Sequence, residues 1–434
     1  MNIFDELLAS TEIPRFVPVH FEIERGTIMR DQIEGIIAGR IKERGLLSKL
    51  RPGDRVGIAA SSRGINNYDR IVRSVVDTLK AAGAKPFIFP AMGSHGGATA
   101  EGQRDVLAGY GITAETMGVE ILSSMETVHI GETPHGLPVH IDKNAYGADW
   151  IVPVGRVKPH TEFHGRHESG MFKMLTIGCG KQFGADICHS RGYAVMERNI
   201  VEIANVMLEK CSVLFGLAIL EDAFHGTYKL EAIPAERFEE EDAALLEEAK
   251  ALVPRIPFDK ADVLILSEFG KNISGAGMDP NVTGRSGTVP PMSPYLDRIC
   301  VLDMTDASHH NAAGIGIADV TTKRFFEKMS FVETYPNGIT SHDLASLKIP
   351  PVMPDDRAAI RMAMHTIPGG KKDSELKIVW MKNTLSLDNF LISESLLPEA
   401  LANPALKVDD ARVTPEFDSN GNVCPEVMHY LSSH

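Results

Sequence analysis

Residues 51–97 read RPGDRVGIAASSRGINNYDRIVRSVVDTLKAAGAKPFIFPAMGSHGG. RVGIAA is a short apolar run bounded by turn residues, the pattern of a buried strand. YDRIVRSVVDTLKAAG then spaces its apolar residues as a helix does and stops on Gly83, a glycine C-cap. KPFIFPA is a second strand. Strand, helix and strand in that order imply a crossover, hence two parallel strands and an α/β fold. The loop after the first strand carries Ser61, Ser62, Arg63 and Gly64. The loop after the second carries Gly93, Ser94, His95, Gly96 and Gly97. In open α/β sheets ligands bind beyond the carboxyl ends of strands, so both loops are expected on a binding rim.

Outward from this unit the pattern continues. FVPVHFEI (16–23) reads as a first strand and 31–45 as a polar helix. A helix at 98–109 and a strand at 119–123 follow. ADWIVPVGRVKPH brings another strand to a loop bearing His160. Arg63, His95 and His160 are therefore expected on loops at one edge of one sheet.

Residues 155–190 read GRVKPHTEFHGRHESGMFKMLTIGCGKQFGADICHS. His160, His164, His167 and His189 stand here with Lys173, Cys179 and Cys188. Four of the chain's 16 histidines in one stretch suit an active site better than a core filler. Three histidines this close invite a zinc reading, but Pro159 and Gly165 work against one helix presenting all three. Lys173 lies in an apolar turn, where a lysine either snorkels to water or, buried, acts as nucleophile or attachment point. The cysteines read as small buried hydrophobes. His95 between glycines fits a ligand loop, and histidine can exchange a proton near neutral pH.

Further on, 194–210 is an amphipathic helix, SVLFGLAIL and the run ending EAIP are strands, and 234–253 is an acidic helix with a solvated face. Pro254 and Pro257 suggest a boundary, giving domains 1–255 and 256–434. In the second, ADVLILSEFG, RICVLDMT and KIVWMKN read as strands, and 355–366 and 394–401 as helices. GAG (275–277) and GRSG (284–287) are weak phosphate-loop signals, without a Walker lysine or an intact GxGxxG. His309 and His310, with Asn311 before a glycine-rich turn, read as structural or as supports to site residues. The fold class expected is α/β: two α/β domains with parallel or mixed sheets and an interdomain active-site cleft.

At 434 residues the chain is long enough for two cores. A formal net charge of −14 speaks against a nucleic-acid partner but leaves room for a small anion at a local positive site. The N-terminal stretch lacks the basic and apolar regions of a secretory signal, and no apolar run reaches a membrane-span length. Five cysteines without CxxC spacing form no disulfide framework. The expectation is a cytoplasmic protein with reduced thiols and no membrane partner.

Arg63 on a strand-end loop, the GSHGG loop, KPH followed by a glycine-rich turn and Lys173, and then His189 together resemble the nickel-dependent lactate racemase family. The resemblance spans roughly 55–320 and is best over 55–190. It implies a nickel-pincer nucleotide, a pyridinium derivative joined by a thioamide to Lys173, with His189 as the protein's nickel ligand. It implies His95 and His160 as the acid/base pair and Arg63 as the carboxylate clamp. It also implies separate cofactor-synthesis enzymes as suppliers, and a small anionic 2-hydroxy acid as substrate. The sequence leaves an oligomer open. Ala60 stands where the family has an aspartate, and the turn between His160 and Lys173 is longer here. The loop 270–285 offers Lys271, Asn272, Asp279, Asn281 and Arg285 where the family uses a glutamine and a lysine. A racemase or epimerase of a hydroxy acid other than lactate is therefore expected, with Lys271 and Arg285 as further substrate contacts. Two alternatives are a zinc- or iron-dependent hydrolase or lyase built on the histidine cluster, and a non-catalytic ligand-binding protein of the same fold.

Overall fold

The structure is a computed structural model that describes residues 3–23, 26, 28–62 and 64–432. Its strands, in chain order, are β1 (Phe16–Phe21), β2 (Arg55–Ala60), β3 (Lys85–Pro90), β4 (Thr127–Glu132), β5 (Pro138–Asp142), β6 (Trp150–Arg156), β7 (Phe215–Glu221) and β8 (Thr227–Pro234). They continue as β9 (Lys260–Leu266), β10 (Tyr295–Val301), β11 (Val320–Thr322), β12 (Val352–Met353), β13 (Ile378–Met381), β14 (Asn389–Ser393) and β15 (Leu406–Val408). Contacts group the chain into two compact units, one of residues 24–252 and one of 253–434 joined by the residues up to 23.

In the 24–252 unit a five-stranded sheet runs β3-β2-β6-β7-β8. The first four strands are parallel and β8 returns antiparallel to β7. The parallel pair expected from residues 51–97 is its edge. β2 is buried on both faces, as parallel strands are. Val56, Ile58 and Ala60 point into one apolar cluster and Ala59 into the other. Gly57 has no side chain because Phe87 and Phe89 of β3 fill its place; an added Cβ would lie 3.0 and 3.2 Å from those rings.

The helix Tyr68–Ala81 covers one face. Tyr68, Ile71, Val72, Val75, Val76 and Leu79 are buried, a stripe at i, i+3, i+4, i+7, i+8 and i+11. Gly83 follows at φ +84°. The helices Met196–Lys210 and Phe238–Leu252 pack on the other face. The strand expected at 119–123 reduces to a single bridge, Ile88 to Ile121. Ser123 then bonds the Ala100 carbonyl, and the chain leaves for the β4–β5 hairpin.

The run after Ser169 is helical but compound. Met171–Lys173 runs into a π-helix, Met174–Cys179, and then into the helix Lys181–His189. π-turns of this kind gather at functional sites. Gly178 lets the π-turn seat against the loop after β3, since a Cβ there would be 2.8 Å from the Ala91 carbonyl oxygen.

The other unit holds an eight-stranded sheet, β12-β11-β10-β9-β13-β14-β1-β15. Its first five strands are parallel and the last three alternate antiparallel. The strand expected at the start of the chain forms, but as a member of this sheet, between β14 and β15. Periodicity identifies a strand and says nothing of its partner. No helix among the described residues is long and apolar enough to cross a membrane.

Candidate active site

Three neighbouring parallel strands, β3, β2 and β6, end on the same side of their sheet. They lead directly into the loops of His95, of residues 61–64, and of His160. Arg63 lies outside the described residues.

The His95 loop is held from below. Gln103, on the helix Ala100–Gly109, is fully buried, and its amide donates to the carbonyls of Gly93 at 2.8 Å and His95 at 3.2 Å. Its own oxygen accepts from Lys181, whose ammonium also donates to the Pro90 carbonyl at 2.8 Å and lies 3.6 Å from the Asp142 carboxylate. The glycine after His95 serves packing, because a Cβ on Gly96 would meet the backbone of Gly102 and Gln103 at 2.6 Å. Gly97 is open, with nothing within 4 Å of its added Cβ.

The His160 loop is organised by one buried carboxylate. Glu168 accepts from the His160 backbone N–H at 2.6 Å and the Gly165 N–H at 3.2 Å. It also takes His164 Nδ1 at 3.3 Å and Lys250 at 3.1 Å. Burial pushes the Glu168 carboxyl up, but His164, the two backbone N–H groups and Lys250 outweigh it and hold it below the ordinary range. The Glu162 N–H donates to His160 Nδ1 at 3.0 Å, so the neutral imidazole carries its proton on Nε2.

His164 is exposed, with its Nδ1 set against Glu168. His167 is 3% exposed, stacked on Phe172 with centroids 4.4 Å apart. Its Nδ1 is 3.7 Å from Asp242, too long for a hydrogen bond. Asp242 instead accepts from the Met171 N–H at 2.9 Å, at the start of the lysine's helix. The extra histidines are thus one loop fastener and one packing ring. No group of three or more metal-donor side chains stands together among the described residues, so the three-histidine cage has no counterpart there.

Lys173 is half-buried, near enough to Cys188 for its charge to act on that thiol, which burial pushes up to about 12. His189 ends the same run of turns. A carbonyl only accepts, so its Nδ1 donates to the Ala185 carbonyl at 2.6 Å and the ring's lone pair is on Nε2. A histidine held in this way has the form of a metal ligand with its supporting bond already made. The donor set suits a metal whose other ligands come from a cofactor.

At the ends of β6 and β7, Arg156 and Glu221 form a buried ion pair. Glu221 also takes the Asn66 N–H at 2.7 Å, which ties down the loop after Arg63. In the other unit Lys271 donates to the Gly275 carbonyl at 2.6 Å. Arg285 binds Asp319 at 2.6 Å and the Asp297 carbonyl at 2.8 Å. Sequence reasoning brought out the histidines and Lys173 but passed over Gln103, Asp142, Glu168, Lys181, Glu221 and Lys250. These hold the loops and carry no motif; the fold buries the side chains of all but Lys250, which stays partly exposed.

The parallel α/β sheet thus carries histidines on its strand-end loops, followed by a helical lysine and histidine sixteen residues apart. Residues 20–184 match the family model described as the lactate racemase N-terminal domain. The match covers 165 of the chain's 434 residues and says what that part of the chain is similar to. The lactate racemase apoprotein from Thermoanaerobacterium thermosaccharolyticum has a similar fold, with a TM-score of 0.52 at 16% identity. That similarity covers 85% of this chain and 99% of the other. No curated protein sequence matches the chain.

Proposed function

We propose that the protein is a racemase or epimerase of a 2-hydroxy acid other than lactate, with Lys173 carrying a nickel-pincer nucleotide and His189 binding its nickel. The observation that carries this reading is the run from Lys173 to His189. It joins a half-buried amine to an imidazole whose Nδ1 is committed to Ala185 and whose lone pair is therefore on Nε2. When bound, the cofactor supplies an acceptor for the hydride of the substrate's α-carbon.

The chain's own residues do the rest. His95 and His160 leave the ends of different strands, which suits a reaction that must address two faces of one carbon. One takes the hydroxyl proton, and the other gives a proton of its own to the substrate oxygen when hydride comes back to the α-carbon on the opposite face. His160 presents Nε2–H, a donor to a substrate oxygen. To act as base there it must move its proton to Nδ1 and release the Glu162 N–H. Arg63, three residues beyond β2, is proposed to clamp the substrate carboxylate with its planar fork.

The domain arrangement expected from sequence is kept within this proposal: cofactor and acid/base groups from the first part of the chain, further polar substrate contacts from Lys271 and Arg285. Arg285 would first have to leave Asp319. Ala60 and the polar loop 270–285 favour a larger substrate than lactate, such as a sugar acid or dicarboxylate. We also propose a cytoplasmic setting, supported by five cysteines that are all free.

The test is protein produced with the cofactor-synthesis enzymes and assayed for nickel, intact mass and chiral conversion of α-deuterated hydroxy acids. The expected result is one nickel and one adduct per chain, with inversion that keeps deuterium on carbon. Loss of deuterium to solvent, or no conversion across a broad panel of adduct-bearing protein, would overturn the reading.

A further inference from the structure

Gln103, Asp142 and Lys181 form a polar group with no exposed surface at all, close to the candidate site but not lining it. Burying an ammonium and a carboxylate is costly, and replacing such a pair by apolar groups is often neutral or stabilising. Stability alone therefore does not explain the arrangement. Its geometry does more. Lys181 stands at φ +57°, a left-handed conformation that an L-residue adopts at a cost, at the joint between the π-helix and the helix that ends in His189. From that joint its ammonium reaches the last carbonyl of β3, at Pro90, and the oxygen of Gln103. Gln103 passes the connection on, because its amide grips the carbonyls of Gly93 and His95. Asp142 completes the set. One oxygen caps the turn after β5 through the N–H groups of Asn144 and Ala145, and the other, without a hydrogen bond, faces the ammonium.

We infer that Gln103 and Lys181 are positioning residues that fix the His95 loop relative to the helical run bearing Lys173 and His189. The role assigned to that loop rests on the racemase reading above; the mechanical link does not. The contacts chiefly link two places, the His95 loop with the end of β3 that feeds it and the start of the His189 helix, with Asp142 also capping the turn after β5. Loss of the link should therefore loosen those two places and leave the rest of the sheet as it was.

The experiment uses Gln103→Glu, which keeps the side chain's size and its acceptor for Lys181 but removes both N–H donors to the loop. Hydrogen–deuterium exchange of the full chain without cofactor is read first. Peptides covering 91–98 should exchange at least about tenfold faster, while those from the helix Tyr68–Ala81 stay at wild-type rates. In cofactor-loaded protein, nickel content and the Lys173 mass adduct should be unchanged. There kcat should fall roughly 10–100-fold with KM within about twofold, as expected when an acid/base group is misplaced by about an ångström. Lys181→Met should speed exchange both at 91–98 and in 181–189; if that variant fails to fold, Gln103→Glu carries the test. Wild-type exchange at 91–98 in Gln103→Glu overturns the inference, and so does exchange raised uniformly over the chain. If the wild type neither carries an adduct nor turns over hydroxy acids, the racemase reading fails, while the exchange result still decides the link.

Discussion

Lys173 and Lys181 stand eight residues apart on one run of helical turns, yet they face opposite conditions. Lys181 is sealed, with its ammonium donating to Pro90 and Gln103 and set against Asp142. Burial lowers its pKa, with Asp142 and Cys179 opposing. Lys173 keeps part of its surface and sits directly before the π-helix. An amine whose N–H bonds all go to buried acceptors cannot form a covalent bond to a cofactor without dismantling that packing. A half-buried amine can. The contrast teaches that a lysine after a glycine-rich turn is not assigned by that turn alone, since both lysines follow one. Burial and partners separate the attachment point from the strut.

The largest effect expected from breaking this contrast is at Lys173. Lys173→Ala should remove the mass adduct and all racemisation while the fold, followed by circular dichroism and melting, stays near wild type. His189→Ala should come next, losing nickel but not the fold. Lys181→Ala inverts the pattern. It strands Asp142 and Gln103 in the core and should cost about 3–5 kcal/mol of stability, read by denaturant titration. A variant that melts like wild type would show that the sealed lysine is not a strut.

A smaller effect belongs to Glu168, which fastens the His160 loop. Its folded pKa lies below the ordinary 4.5, so its contribution is complete above that value and is lost as pH falls through the lower folded pKa. The melting temperature of the wild type should therefore drop on acidification in that window. Glu168→Gln should be less stable at neutral pH and show a shallower acid limb. Parallel pH profiles for the two proteins would remove the carboxylate from the account.

The sequence was readable where a local pattern carries the physics. The apolar runs of β2, β3 and β6, the helical stripe of 68–81 and the strand-end histidines all have short-range signatures. Legibility stopped where an answer depends on distant residues. FVPVHF is a strand by pattern, but its partners are β14 and β15, more than three hundred residues away. His164 and His167 looked like their neighbours His160 and His189, and only Glu168, Phe172 and Asp242 show one as a fastener and the other as packing. The π-turn has no separate periodicity in MFKMLTIGCGK. Gln103, Asp142 and Lys181 have no local pattern that marks them as buried; only the closed fold does.

The measurement that bears most directly on the central claim is peptide mass mapping of the nickel-loaded protein, recorded beside its racemase activity. The expected result is a single adduct on Lys173, Lys181 unmodified, and activity in proportion to the modified fraction. An adduct on Lys181, or full activity in protein whose Lys173 is unmodified, would contradict it.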